Sequence, residues 1–171
     1  PRDRGYFKQE GLDVETIVIR SAPSVLALAA KEIDFLMTGG GGLSGALRGL
    51  PLRVVFAPLR RPTYALYAKP EIRTIAELEG KRVGISSYGS GPDLLLRDVL
   101  KKRMADGGKK VTILAVGSGT ERYVALKANI VDAAVLSSPV TLTAKQEGYR
   151  ELFSFFPDKD YADIPVATFT R

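Results

Sequence analysis

The chain has 171 residues, 45% of them apolar and 26% charged, with a net charge of +6 at neutral pH and neither cysteine nor histidine. At this length folding buries about 70% of the unfolded surface, enough for one domain or two small lobes. The two missing residue types exclude disulfides, thiol nucleophiles, the usual Cys/His zinc sites and histidine-based triads within this sequence, and no apolar run is long enough to cross a bilayer.

The positive balance suits an anionic partner through long-range steering. The basic residues, however, form no stripe interleaved with aromatics. "LKKRM" (100–104) falls at a predicted helix end and "KK" (109–110) in a loop, where cations complement the negative end of a helix dipole, so nucleic acid is not an expected partner.

In chain order, "VETIVIR" (14–20) is short and β-branched and predicts a strand, and "PSVLALAAKE" (23–32) predicts a helix with proline near its start. "IDFLM" (33–37) is a second strand, a glycine loop then leads into a helix through Arg48, and "LRVVFAP" (52–58) is a third strand. This β-α-β-α-β order is the grammar of an open α/β sheet.

The pattern resets at 69–80, where Thr74 and Glu77 stand at capping-box spacing and Gly80 can end the short helix they start. A second series follows: strand "RVGIS" (82–86), a helix opened by Pro92 with acid in its first turn and cations in its last, and strand "VTILAVG" (111–117). Ser118 and Glu121 make another capping box over "RYVALKAN", "VDAAVLS" (131–137) is a strand, and a helix runs from Pro139 to about Glu147.

"LALAAKEIDFLMT" (26–38) and "VALKANIVDAAVLS" (124–137) share one grammar, with Asp34 opposite Asp132, both read as holding turns. The closing "IPVATFTR" resumes a strand pattern. These features predict two like lobes, 1–69 with a returning strand at 164–171, and 70–163 inserted between crossovers near 69–74 and 158–166.

The glycine loop "TGGGGLSGALRG" (38–49) has two readings. Gly40, Gly42 and Gly45 satisfy G-x-G-x-x-G between a strand and a helix, as a dinucleotide site requires, and Arg60 or Arg61 could suit a 2′-phosphate. This is the alternative of an NADP-dependent oxidoreductase. Against it, the region where such a site places an acid, "FAPLRRPTYALYA" (56–68), has none. The other reading is a tight turn that needs close backbone approach.

In an open α/β sheet a ligand sits beyond the carboxyl ends of the strands. The residues presented there are Ser21 and Ala22, Thr38 to Gly42, Ser86 to Gly91, Gly117 to Thr120, and Ser137 with Ser138, almost all Ser, Thr or Gly. Free amides at helix starts with small hydroxyls beside them bind anions, each dipole contributing roughly 0.3 to 1 kcal/mol. A hydroxyl without a neighbouring base is a poor nucleophile, so the set favours reversible binding over catalysis. Each hydroxyl can also simply cap its own helix. Asp93, in a helix first turn, reads as a dipole partner.

"RDRGYFKQEGLDVE", "ALAAKEIDFLMTGG", "ALRGLPLRVVFAP", "IRTIAELEGKRVGISSYGSGPDLLLRDVLKK", "LAVGSGTERYVALKANIVDAAVLSSP" and "AKQEGYRELF" together resemble, in order and over nearly the whole chain, the substrate-binding proteins of ABC importers for nitrate, sulfonates and taurine, a group with relatives similar to thiamine-pyrimidine synthases. The resemblance implies a type II periplasmic-binding fold, two α/β lobes closing over a solute. It implies a cleft lined by Ser21, Thr38, Gly39, Gly40, Ser86, Ser87, Tyr88, Gly89, Ser90, Gly117, Ser118, Gly119, Thr120 and Ser137, with Tyr64 covering it from the hinge side.

It further implies a monomer outside the cytoplasm that delivers a small anionic solute to a membrane permease, with no cofactor, metal or enzymatic step. The family's first strand, an export signal and the completion of the first lobe are expected beyond the two ends of this sequence. The synthase-like branch is disfavoured because its chemistry depends on histidine. The same fold also serves as the effector-sensing domain of transcription regulators, which remains a second alternative.

Overall fold

The computed structural model describes residues 4–19, 21–38, 40–59, 62–156 and 166–171. Two open sheets carry the helices. A three-stranded sheet has the order β1 (Leu36–Thr38), β8 (Val166–Thr170), β2 (Arg53–Leu59), and β8 runs antiparallel to both neighbours. The strand that closes the chain therefore lies between two built at its beginning. Helices α2 (Ser21–Ala29) and α3 (Gly40–Leu47) accompany this sheet, and Val25, Leu28 and Leu52 pack with Ala167 and Phe169 to form its core. A single turn of helix, α1 (Tyr6–Gln9), precedes them.

The five-stranded sheet has the order β5 (Thr112–Ala115), β4 (Arg82–Ile85), β6 (Ala133–Ser137), β3 (Tyr64–Ala68), β7 (Arg150–Ser154). Its β5, β4 and β6 are parallel, while β3 runs antiparallel to β6 and β7. Successive side chains in a strand point to opposite faces, and both faces here are covered. Leu66, Val83, Ile85 and Val135 pack under α4 (Gly91–Arg103) through Leu95, Leu96, Val99 and Leu100. Ala65, Tyr67, Ala134 and Leu136 take the other face, with Tyr123, Ala125 and Leu126 of α5 (Gly119–Lys127) and Ala144 of α6 (Val140–Gln146).

Several expectations need correction. Residues 14–19 form no strand, and Val18 is 99% exposed; β-branched residues become a strand only when another strand pairs with them, and none does among the described residues. Two strands that the sequence reading did not place, β3 and β7, lie in the larger sheet. Because "YALYA" is buried on both faces it lacks the polar alternation that marks a half-exposed strand. Since β3 pairs with β6 and β7, the chain leaves the smaller sheet between β2 and β3, ahead of the 69–74 segment named as a crossover. The proline turn at Pro70 only links β3 to β4. The crossover named at 158–166 falls almost wholly on 157–165, outside the described residues.

Thr74 and Glu77 act at the foot of a 3-10 turn (Ala76–Leu78), where the Glu77 carboxylate accepts from the Arg73 amide at 2.8 Å. Ser118 and Glu121 form the complete reciprocal box. The two matched aspartates diverge. Asp132 is a clamp, its carboxylate accepting from Lys69 Nζ at 2.8 Å and from the Arg82 amide and Nε at 3.0 Å each. Asp34 stands 84% exposed, 3.7 Å from Arg171.

Candidate functional site

The starts of three helices converge between the sheets. Gly40 opens α3 and Gly91 opens α4, and they meet backbone to backbone: a Cβ on Gly40 would lie 3.3 Å from the Gly91 Cα. A Cβ placed on Gly91 would meet both the Gly40 amide nitrogen, at 3.5 Å, and the Tyr64 ring, at 3.9 Å. Tyr64 is in turn the ladder partner of Ser137 at the end of β6. The Ser137 Oγ would lie 3.4 Å from a Cβ on Gly119, the first residue of α5. Gly40, Tyr64, Gly119 and Ser137, all predicted from sequence, thus form one contiguous neighbourhood with Gly91. Thr38, at the end of β1, lies beside it in sequence and touches the α3 start through its methyl group near Gly42. The first amides of these helices have no intrahelical partner and bring partial positive charge to this place, while Asp93 in α4 and Glu121 in α5 carry an acid into two of the three starts.

The turn at 86–90 is held mostly by its own hydrogen bonds. Ser86 Oγ donates to Ser90 Oγ at 2.7 Å, and Ser90 Oγ donates to the Ser87 carbonyl at 2.6 Å. Asp93, only 3% exposed, accepts from the Gly89 amide at 2.7 Å and from Arg97 Nε at 2.7 Å, so it fixes this turn from beneath. Gly89 adopts a φ of 75°, which favours glycine. Ser87 Oγ is buried with no hydrogen-bond partner, a polar atom left available. The Tyr88 hydroxyl donates to the Ile113 carbonyl at 3.0 Å. A cavity of about 250 Å3 lies between α2, α3 and this turn, and Tyr88, Gly89 and Ser90 line it together with Val25, Ser44 and Arg48.

Other predicted positions have local duties. Ser118 Oγ accepts from the Glu121 amide at 3.2 Å as the cap of α5, and Thr120 is exposed. Gly117 has a φ of 119° and offers its carbonyl inward. Gly39 and Arg60 lie outside the described residues, and Ser21 begins α2.

The glycine loop has a mechanical answer. A Cβ on Gly42 would sit 2.6 Å from the Phe169 ring, and one on Gly45 would sit 2.9 Å from Val25. These two glycines let α3 press onto the sheet and onto α2, while Gly40 permits the meeting with α4.

Sequence reasoning missed Arg122. It is 3% exposed, and its Nε donates to the Val135 carbonyl at 2.6 Å while Nη1 donates to the Gly117 carbonyl at 2.5 Å. Its position shares a helix face with Ala125 and Leu126, so the apolar periodicity of α5 carried the signal of a buried arginine. Burial lowers the basicity of this guanidinium, with Tyr64 and Glu121 opposing, and burial raises the Tyr64 phenol with Arg122 opposing.

Residues 2–166 match the family described as NMT1/THI5 like. The chain belongs to the NMT1/THI5-like family. No curated protein sequence matches it. Among solved structures, it superposes on a protein of Bordetella bronchiseptica RB50 with a TM-score of 0.83 at 20% identity, covering 99% of this chain and 57% of that one. The alkanesulfonate-binding protein SsuA of Xanthomonas axonopodis pv. citri, bound to MOPS, gives a TM-score of 0.78 at 21% identity over 99% of this chain and 59% of its own. PhnD1 of Prochlorococcus marinus, in complex with methylphosphonate, gives 0.73 at 16% identity over 98% of this chain and 67% of its own. The fold of this NMT1/THI5-like chain is that of the type II periplasmic binding proteins, and the chain spans less than three fifths of the first two of these relatives.

Proposed function

We propose that this NMT1/THI5-like chain is part of a solute receptor that holds a small anionic compound between its two sheets and passes it to an ABC permease outside the cytoplasm. The observation that carries this reading is the convergence of the α3, α4 and α5 starts on Tyr64 and Ser137. Dipoles and hydroxyls aimed at one place bind an anion, and a few such interactions reach micromolar affinity, about −8 kcal/mol.

The same residues suit reversible binding better than catalysis. With no histidine or cysteine in the sequence, and with Asp93 and Asp132 tied to Arg97, Lys69 and Arg82, no acid–base pair is positioned beside the serines among the described residues. The oxidoreductase alternative loses its support, because Gly42 and Gly45 are occupied in packing rather than facing a phosphate.

A thermal-shift screen of the complete protein tests the reading, using alkanesulfonates, nitrate, phosphonates, carboxylates, pyrimidines and NADPH. At a hundredfold excess over the dissociation constant, binding adds about 2.7 kcal/mol, enough to move the melting midpoint by several degrees. Stabilisation by one class of small anion is the expected result. A response to NADPH alone would sink it.

A further inference from the structure

We infer that the Arg122 guanidinium is the charge that recognises the solute, seating a small oxyanion, such as a sulfonate or carboxylate, between the start of α5 and Ser137. The inference rests on the solute-binding reading and adds which charge class the site selects and which residue selects it.

Arg122 is buried to within 3% of its surface, yet among the described residues no carboxylate contacts its guanidinium, and Glu121 acts on it only through space. Its two hydrogen-bond partners are backbone carbonyls. Glu121, its sequence neighbour, turns back to accept from the Ser118 amide in the capping box. A buried cation that touches no anion is costly, and carbonyl dipoles with a carboxylate at a distance offset only part of that cost. Structures retain such a charge readily when an anion completes it.

The geometry shows where that anion goes. Nε and Nη1 are held by Val135 and Gly117, which fixes the plane of the fork. Nη2 donates to no described residue and lies 3.9 Å from the position a Gly119 Cβ would take, with Ser137 Oγ 3.4 Å from the same point. The open side of the guanidinium therefore faces the space that the absent Gly119 side chain leaves. The amides of Gly119 and Thr120, at the first turn of α5, have no intrahelical partner and edge the same space. A planar guanidinium N–H, two helix-start amides and a hydroxyl form a donor set suited to the several oxygens of a carboxylate or sulfonate, while the guanidinium charge repels an ammonium group.

The competing role is a strut that only ties the 117–119 loop to β6. Calorimetry and thermal melting of the complete protein separate the two, using methanesulfonate with its neutral isostere methanesulfonamide, and acetate with acetamide. The wild type is expected to bind at least one anion ten times or more tightly than its amide. Arg122→Gln should lose that preference and Arg122→Lys should keep part of it.

Because Arg122→Gln could unfold the loop, Gly119→Val is the deciding variant: it keeps Arg122 but covers Nη2, at a position whose backbone conformation accepts a side chain. Its melting temperature should stay close to wild type while anion affinity falls at least tenfold. Unchanged anion affinity in Gly119→Val overturns the inference. So does a wild type that binds amide and anion alike, or one that ignores all four probes yet binds another solute in the broader screen; in both cases the receptor reading survives. A protein that binds no solute of any class removes the receptor reading and this inference with it.

Discussion

Gly42 lies directly beneath Phe169, so close that a Cβ would stand 2.6 Å from one ring carbon and 2.7 Å from the Thr38 methyl. Phe169 is 1% exposed and has nowhere to move. Gly42→Ala sets a helix-propensity gain of at most about 1 kcal/mol against an overpacking penalty of roughly 1–3 kcal/mol. The penalty wins, and urea denaturation should show a net loss of about 1–2 kcal/mol. A stabilised variant would mean that α3 does not press on the sheet in this way.

Gly40 and Gly91 bring α3 and α4 together across the two sheets. Gly40→Val places branched carbon against the Gly91 backbone, which cannot yield as a side chain can. The two helix starts should part, lowering solute affinity tenfold or more in calorimetry. Stability should change by no more than about 1 kcal/mol, because the contact lies between the two cores and not inside either.

Asp93 holds the 86–90 turn by accepting from the Gly89 amide while pairing with Arg97. Asp93→Ala removes the charged acceptor of the Gly89 amide and of Arg97, at a cost of about 1.5–3 kcal/mol. Hydrogen exchange should accelerate at Gly89 and Ser90 first. Exchange unchanged at those amides would show that the serines hold the turn without Asp93.

Asp132 gives the protein a defined acid response. The Arg82 guanidinium, helped by Lys69 and the Arg82 amide, holds its carboxyl well below the usual carboxylate range, against the opposing effect of burial. A carboxyl whose folded value is depressed contributes stability above its unfolded value, near ~4, and loses it as pH falls from there through the folded value. Wild-type melting temperature should therefore decline below about pH 4. Asp132→Asn should cost about 2 kcal/mol at neutral pH, less than a fully buried pair because solvent screens Arg82, and should flatten the acid decline. Parallel pH profiles for the two proteins would contradict this assignment.

Much of this was legible in local sequence. The complete capping box at Ser118 and Glu121, the proline-led start of α4 and the existence of the strands β4, β5 and β6 follow from neighbours a few residues apart, where side chain and backbone decide together. The small hydroxyl and glycine residues at strand ends were likewise readable, because the α/β arrangement fixes which positions reach that edge. Strand pairing was not local. "VETIV" has the propensity of a strand without a partner, while "YALYA" and "RELFS" are strands because β6 and β3 lie beside them.

The sequence by itself determined the alternation of elements, the lack of thiol and imidazole side chains among these residues, and the small, hydroxyl-rich character of the strand ends, since composition and short-range capping need no knowledge of distant contacts. Only the tertiary structure decided that the last strand inserts between the first two, that Gly40 meets Gly91, that Asp132 is a clamp where Asp34 makes one exposed pair with Arg171, and that Arg122 is buried beside Ser137. Those facts depend on which surfaces meet after the chain has crossed from one sheet to the other and back, and such long-range packing leaves no fixed spacing in the sequence to read.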